Sequence, residues 1–250
     1  MRLGRLRDYL YDGVLPPDQS SFENRLAIVE ERIQRALSQL GRSRSDLTLV
    51  AVSKKFSSEN ILIAYRSGLR HFGENYVQEF AEKRPQLGEL PDATYHLIGH
   101  LQSNKAKVAT ELFNVIQTVD SPKLLRRLDD FARQAAKTVE AFIEVKLSDE
   151  PSKTGVGAQG IPAILEGAAS CSNVQLNGLM TIPPFSDNPE DSRPYFRELA
   201  ALAKQFKLPK LSMGMSADFG IAIEEGATAI RVGTALFGKR PRPAASASAQ

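Results

Sequence analysis

A chain of 250 residues with 42% apolar and 24% charged side chains has ordinary globular composition, which excludes collagen-like, coiled-coil and broadly disordered architectures. Its length suits one barrel-sized domain, and its single cysteine, Cys171, can form no internal disulfide and reads as a small buried hydrophobe in a reducing compartment. The net charge of +3 comes wholly from Lys239, Arg240 and Arg242, so residues 1–238 are balanced and carry no general attraction for nucleic acid. No apolar run approaches the ~20 residues that cross a bilayer, and the opening MRLGRLRDYLYDG has no sustained apolar region or cleavage site. The expectation is a soluble, cytoplasmic protein without a membrane partner.

Residues 1–20 repeat leucine at helical spacing but are cut off by Gly13, Pro16 and Pro17, and they read as an extension. Ser20 and Glu23 have capping-box spacing, and Phe22, Leu26, Val29, Ile33, Leu37 and Leu40 mark one face of a helix over 22–40 that Gly41 ends. Eight short apolar, β-branched runs follow, at 47–53, 71–74, 95–99, 115–119, 141–147, 174–182, 210–214 and 229–238. Between them lie amphipathic stretches at 58–66, 76–84, 102–111, 122–136, 161–170, 189–206 and 217–225. Ser121-Pro122 and Asn188-Pro189 are local helix starts, since proline in the first turn loses no needed hydrogen bond. Strand-helix alternation predicts parallel strands with helical crossovers, and eight strands suit a single closed (β/α)₈ barrel over 21–238, with an open doubly wound sheet as the rival. The first helix would then cap the bottom of the barrel or pack outside it. The tail KRPRPAASASAQ reads as disordered.

Barrel chemistry sits at the carboxyl ends of the strands. The first strand runs into Lys54-Lys55, and alternation sends one of the two into the mouth. A lysine there loses hydration, its pKa falls, and its neutral amine can attack an aldehyde. Near the other end, KLSMGMSADFG takes a strand through Ser216 into a helix, which places a hydroxyl and backbone N–H groups where an anion can bind. Arg231, Gly233 and Thr234 follow, with Arg231 and Gly233 on one face of their strand. Asp218 suits a helix N-terminus and needs no further role. Gly155, Gly157 and Gly160 match G-x-G-x-x-G, but SDEPSKT separates them from the preceding strand, so a dinucleotide-binding oxidoreductase is a distant alternative. These glycines read as a loop over the mouth, in which Lys153 and Thr154 approach a ligand. Three scattered histidines and one cysteine give no metal-ligand cluster.

The strings LVAVSKKFSSENI, HFGENYVQEF, YHLIGHLQSNK, SKTGV, GLMTIPP and LSMGMSADFGIAIEEGATAIRVGTALFG, in that order, resemble the pyridoxal phosphate homeostasis protein family. The resemblance implies a fold-type III barrel like the amino-terminal domain of alanine racemase, with pyridoxal 5′-phosphate (PLP) held covalently as an aldimine of Lys54. It further implies that Ser216, Gly233 and Thr234 hold the phosphate, that Arg231 faces the pyridine nitrogen, and that Asn75 lines the pocket. Lys55 and Phe56 depart from the Thr and Pro that the family often carries after its lysine.

An arginine has too high a pKa to protonate the pyridine nitrogen, so the ring is a poorer electron sink. The resemblance gives a racemase its second acid/base from a separate β-domain, for which residues 239–250 leave no room. His96 reads as a core histidine, and His100 stands where the family also accepts proline. The implied function is thus a non-enzymatic PLP carrier that affects amino-acid and keto-acid pools indirectly, with apo PLP-dependent enzymes as transient partners, and that works as a monomer. A weak PLP-dependent racemase is the alternative.

Overall fold

The computed structural model describes residues 18–151 and 153–239. The expected extension, up to residue 17, and the basic tail, from residue 240, lie outside the described residues.

Helix α1 (Gln19–Gln39) opens the fold. Its N-cap is Asp18, whose carboxylate accepts from the Ser20 and Ser21 backbone N–H groups, while Glu23 accepts from Gln19 Nε2. The predicted Ser20–Glu23 capping box is therefore replaced by an acidic cap two residues earlier, which serves the same orphan donors with a full charge. Phe22, Val29, Ile33 and Leu37 are buried as their spacing predicts, but Leu40 lies beyond the last turn and is exposed. Gly41, at φ +64°, turns the chain away.

Eight parallel strands follow: β1 (Thr48–Val52), β2 (His71–Glu74), β3 (Thr94–Leu97), β4 (Val115–Val119), β5 (Val139–Glu144), β6 (Val174–Met180), β7 (Lys210–Ser212) and β8 (Ala229–Val232). They close in sequence order into a barrel, with β1 pairing β8 in the register Thr48↔Ala229 to Ala51↔Val232. The closed barrel decides against the open doubly wound sheet. The connecting helices are α2 (Ser58–Arg66), α3 (Val77–Lys83), α4 (Ala106–Leu112), α5 (Pro122–Gln134), α6 (Ile161–Ala168), α7 (Arg193–Phe206) and α8 (Phe219–Glu224). The run 229–238 was expected as one strand; it ends at Val232 and turns into the short helix α9 (Thr234–Phe237). The switch happens at Gly233, where the chain leaves the sheet.

Most of the core lies between barrel and helices, where Phe72, Phe80, Phe113, Phe196 and Phe219 are fully buried. Each contributes roughly 1.5–3 kcal/mol by leaving water. Helix α1 packs outside the barrel, on the seam where β8 closes on β1. Phe22 meets Phe237 of α9 at 5.3 Å between ring centroids, Arg25 Nε donates to Leu236 O, and Arg32 lies over the Phe219 ring of α8. Inside the barrel a small apolar cluster of Val115, Phe142 and Met180 lies apart from the main core. Beside it runs a set of buried polar groups that includes His96, Gln117, Ser212 and Arg231. Cys171 is half-buried and not fully so, and burial pushes its thiol pKa up.

Candidate functional site

Strand β1 ends at Val52, so Lys54 and Lys55 stand in a turn closed by Phe56 N–H on Ser53 O. Lys55 takes φ +64°, a left-handed conformation uncommon outside glycine, and is exposed, whereas Lys54 is half-buried. The two lysines are separated by this turn and not by strand alternation, as the sequence alone suggested.

The turn is held from behind by a buried lysine that sequence reasoning missed. Lys83 Nζ, on α3, donates to Ser53 O at 3.1 Å and pairs with Glu74 at 2.9 Å and Glu79 at 2.6 Å. Glu79 also accepts from Lys55 N–H, and Glu74 from Ser53 Oγ. The backbone on both sides of Lys54 is thus tied to one ammonium. Burial raises the Glu74 pKa even against Lys83. A helical lysine nine residues beyond a glutamate carries no sequence signal, because only the β2–α3 turn brings them together.

Next to this turn, Asn75 follows β2, and its Oδ1 is buried without a hydrogen-bond partner. The backbone here leaves no room for a neighbour: a Cβ on Gly99 would stand 2.3 Å from Asn75 O.

On the other side of β1, the register that pairs Val50 with Arg231 and Ala51 with Val232 brings Gly233 beside Val52. Arg231 is 3% exposed; Nη1 donates to Ser212 Oγ at 2.6 Å and Nη2 to Thr181 O at 2.8 Å. No ion pair to it forms among the described residues. Desolvation lowers its pKa to about 10, with Asp218 and Glu144 raising it from a distance, so it stays cationic at neutral pH. Ser216 does not cap α8, whose N-cap position is Asp218. Its Oγ accepts from Gly233 N–H and Ala235 N–H, both at 3.3 Å, across the β8–α9 turn. Thr234 is exposed on the same turn. Asp218, expected to serve only the helix dipole, is buried and accepts from Met215 N–H and Ser192 Oγ, which fixes the loop carrying Ser216.

Across the mouth, the glycine-rich loop lies along the end of β5 through a parallel bridge between Val145 and Val156. Thr154 Oγ1 donates to Glu144 Oε1 at 2.6 Å, and Lys153 Nζ to Pro183 O at 3.0 Å. Glu144 is buried, its Oε2 has no partner, and desolvation raises its pKa. Gly157 precedes and Gly160 ends a 3₁₀ turn ahead of α6, and residues 145–156 intervene between β5 and that turn, so no glycine-rich turn leads directly from strand to helix. His96 lies buried inside the barrel, where desolvation lowers its pKa to about 3. His100 stands at the mouth, 3.7 Å from Asp120.

Lys54, Asn75, Ser216, Gly233 and Thr234 therefore follow the carboxyl ends of four neighbouring strands, β2, β1, β8 and β7, and Arg231 lies within β8. Residues 26–241 match the family model of the alanine racemase N-terminal domain. A pyridoxal phosphate homeostasis protein of Aquifex aeolicus is 42% identical over 222 residues, covering 86% of this chain and 97% of its own. The chain belongs to the pyridoxal phosphate homeostasis protein family. The Escherichia coli K12 member is 36% identical over 222 residues, covering 86% of this chain and 95% of its own length. PipY of Synechococcus elongatus PCC7942, solved with PLP bound, is 39% identical with a TM-score of 0.75, over 87% of this chain and all of that one. An alanine racemase of Clostridium difficile 630 aligns at TM-score 0.66 and 13% identity over 88% of this chain and 58% of its own, which supports the shared barrel alone.

Proposed function

We propose that this chain binds PLP at the barrel mouth, covalently through Lys54, and serves PLP homeostasis as a carrier without turning over a substrate of its own. The observation that carries this reading is Arg231, a buried guanidinium with neutral hydrogen-bond partners, on the strand paired with the one that ends before Lys54. Burying a cation without a carboxylate is costly. A neutral heteroaromatic nitrogen is an acceptor that a permanent donor can serve. The residues present also fit the rest of the group. Asn75 offers a buried, unpartnered oxygen, and the long 3.3 Å bonds from Gly233 and Ala235 to Ser216 are ones a phosphate oxygen can take over as a stronger acceptor.

When bound, PLP supplies an aldehyde open to attack by a neutral amine. The Lys54 Nζ is the proposed nucleophile, and its turn is held by Lys83. Ser216, Gly233 and Thr234 would hold the phosphate, and Asp218 orders the loop that carries Ser216. Arg231 would donate to the ring nitrogen without being able to pass it a proton, which would weaken carbanion chemistry and favour carrying over catalysis. We place the protein in the cytoplasm as a monomer built on residues 21–238, meeting apo PLP-dependent enzymes transiently. Among the described residues no helix is long and apolar enough to cross a membrane.

Purified protein mixed with PLP is expected to turn yellow and, after borohydride, to carry the reduced adduct on Lys54 by peptide mapping, both lost in Lys54→Ala. An adduct elsewhere, or none, overturns the attachment. Lys54-dependent deuterium incorporation at the α-carbon of amino acids would replace the carrier reading with that of a weak racemase.

A further inference from the structure

A continuous string of hydrogen bonds crosses the inside of the barrel, from Arg231 to the opposite end. Arg231 Nη1 donates to Ser212 Oγ at 2.6 Å, and Ser212 Oγ to Gln117 Oε1 at 2.6 Å. Gln117 Nε2 lies 3.0 Å from His96 Nδ1, and His96 Nε2 lies 3.0 Å from His71 Nδ1. Ser212 and Gln117 are fully buried, His96 is 5% exposed, and His71 is half-buried at the start of β2, where it lines an open depression with Arg44 and Arg70. Five strands, β8, β7, β4, β3 and β2, each contribute one member.

The chemistry of the groups gives the string a direction. Arginine only donates. Ser212 therefore accepts from it and passes its own hydrogen to Gln117 Oε1, which turns the Gln117 amide N–H groups toward His96. His96 is neutral, because burial holds its pKa at about 3, so with Nδ1 accepting it carries its hydrogen on Nε2 and donates to His71. Protonating His71 would place hydrogens on both facing nitrogens. To remove that clash His96 must move its hydrogen to Nδ1 and Gln117 must turn its amide over. Ser212 then receives donors from both sides, and its own hydroxyl hydrogen loses Gln117 as acceptor.

We propose that Ser212, Gln117, His96 and His71 are positioning residues that hold Arg231 and couple the protonation of His71, at the far end of the barrel, to the group that Arg231 faces. The coupling rests on the reading that Arg231 faces the PLP ring nitrogen; the string itself does not. The groups around His71 are His96 on β3, Glu140 on β5 and Lys210 on β7, with Arg70 beside it and Arg44 ahead of β1. Glu140 and Lys210 pair with each other at 2.5 Å. Burial lowers the His71 pKa, Glu140 opposes that and Lys210 adds to it, so the reversal belongs below the usual imidazole midpoint of about 6.5.

Histidine ¹⁵N NMR of the full chain without PLP tests the string. The expected result is an Nε2–H tautomer for both rings at high pH, and a shift of the neutral His96 to Nδ1–H as His71 titrates. A His96 that keeps Nε2–H throughout overturns the proposal. The PLP-loaded protein tests the coupling: its absorption band is expected to shift with the midpoint of His71, and His71→Phe, a change at the far end of the string, is expected to lose that shift. A shift retained in His71→Phe, or absent from the wild type, overturns the coupling. Failure to retain PLP overturns the functional reading, while the tautomer measurement still decides the string.

Discussion

Lys83 shows how one side chain governs another that it does not touch in sequence. Its ammonium is the only cation paired with Glu74 among the described residues, and it also holds the Ser53 carbonyl ahead of Lys54. Removing it leaves Glu74 buried with an uncompensated charge. Lys83→Met is therefore expected to cost about 3–5 kcal/mol in urea unfolding, and adding Glu74→Leu to restore most of that. A loss within 1 kcal/mol of zero, or no rescue by the second change, would refute the hub. At this scale the sequence singled out Lys54 and Ser216, which lie in the turns after β1 and β7, and Arg231, which lies within β8. It was silent on Lys83, Glu74 and Gln117, whose roles come from neighbours 9 to 95 residues away.

Elements follow their local signals closely, and departures have local causes. Ser121 caps α5 by accepting from Leu124 N–H, as Ser-Pro predicts, and Asn188 accepts from Glu190 N–H at the 3₁₀ turn before α7. The capping of α1 went to Asp18 because an ionised oxygen pair reaches two backbone donors at once. The last apolar run was misread as one strand because β-strand and buried short helix share an apolar pattern. Between elements, contact distance decides more than pattern. The loop after β3 passes so close to that after β2 that Gly99→Ala needs backbone movement at Asn75. We expect it to destabilise the fold by about 1–3 kcal/mol and to weaken PLP retention, measured by thermal melts and dialysis. Unchanged retention would mean that Asn75 does not contribute to the pocket.

For the whole molecule, a barrel interior that keeps a buried histidine neutral has a stability consequence. His96 has a pKa of about 3 when folded and about 6.5 when unfolded. A depressed folded pKa on a histidine means that the unfolded chain binds the proton more readily. The contribution is fully present above the unfolded pKa and is lost as pH falls from about 6.5 toward 3, at about 1.4 kcal/mol per pH unit. Urea unfolding across this range is expected to show that slope, with His71 adding in the same direction, and His96→Gln is expected to flatten it. An unchanged slope in the variant would show that His96 is not held neutral.

The amino-acid sequence by itself determined the alternation of strands and helices, the strand ends that bear the candidate site, and the family, because apolar periodicity, turn residues and ordered motifs are local properties of the chain. Only the tertiary structure decided that the sheet closes and that β8 lies against β1, which brings Arg231 and Gly233 to the strand that ends before Lys54. Closure also decided what fills the barrel. Alternation sends every second residue inward but does not say which strand it will meet across the interior, and that meeting turns His71, His96, Gln117, Ser212 and Arg231 into one hydrogen-bonded string.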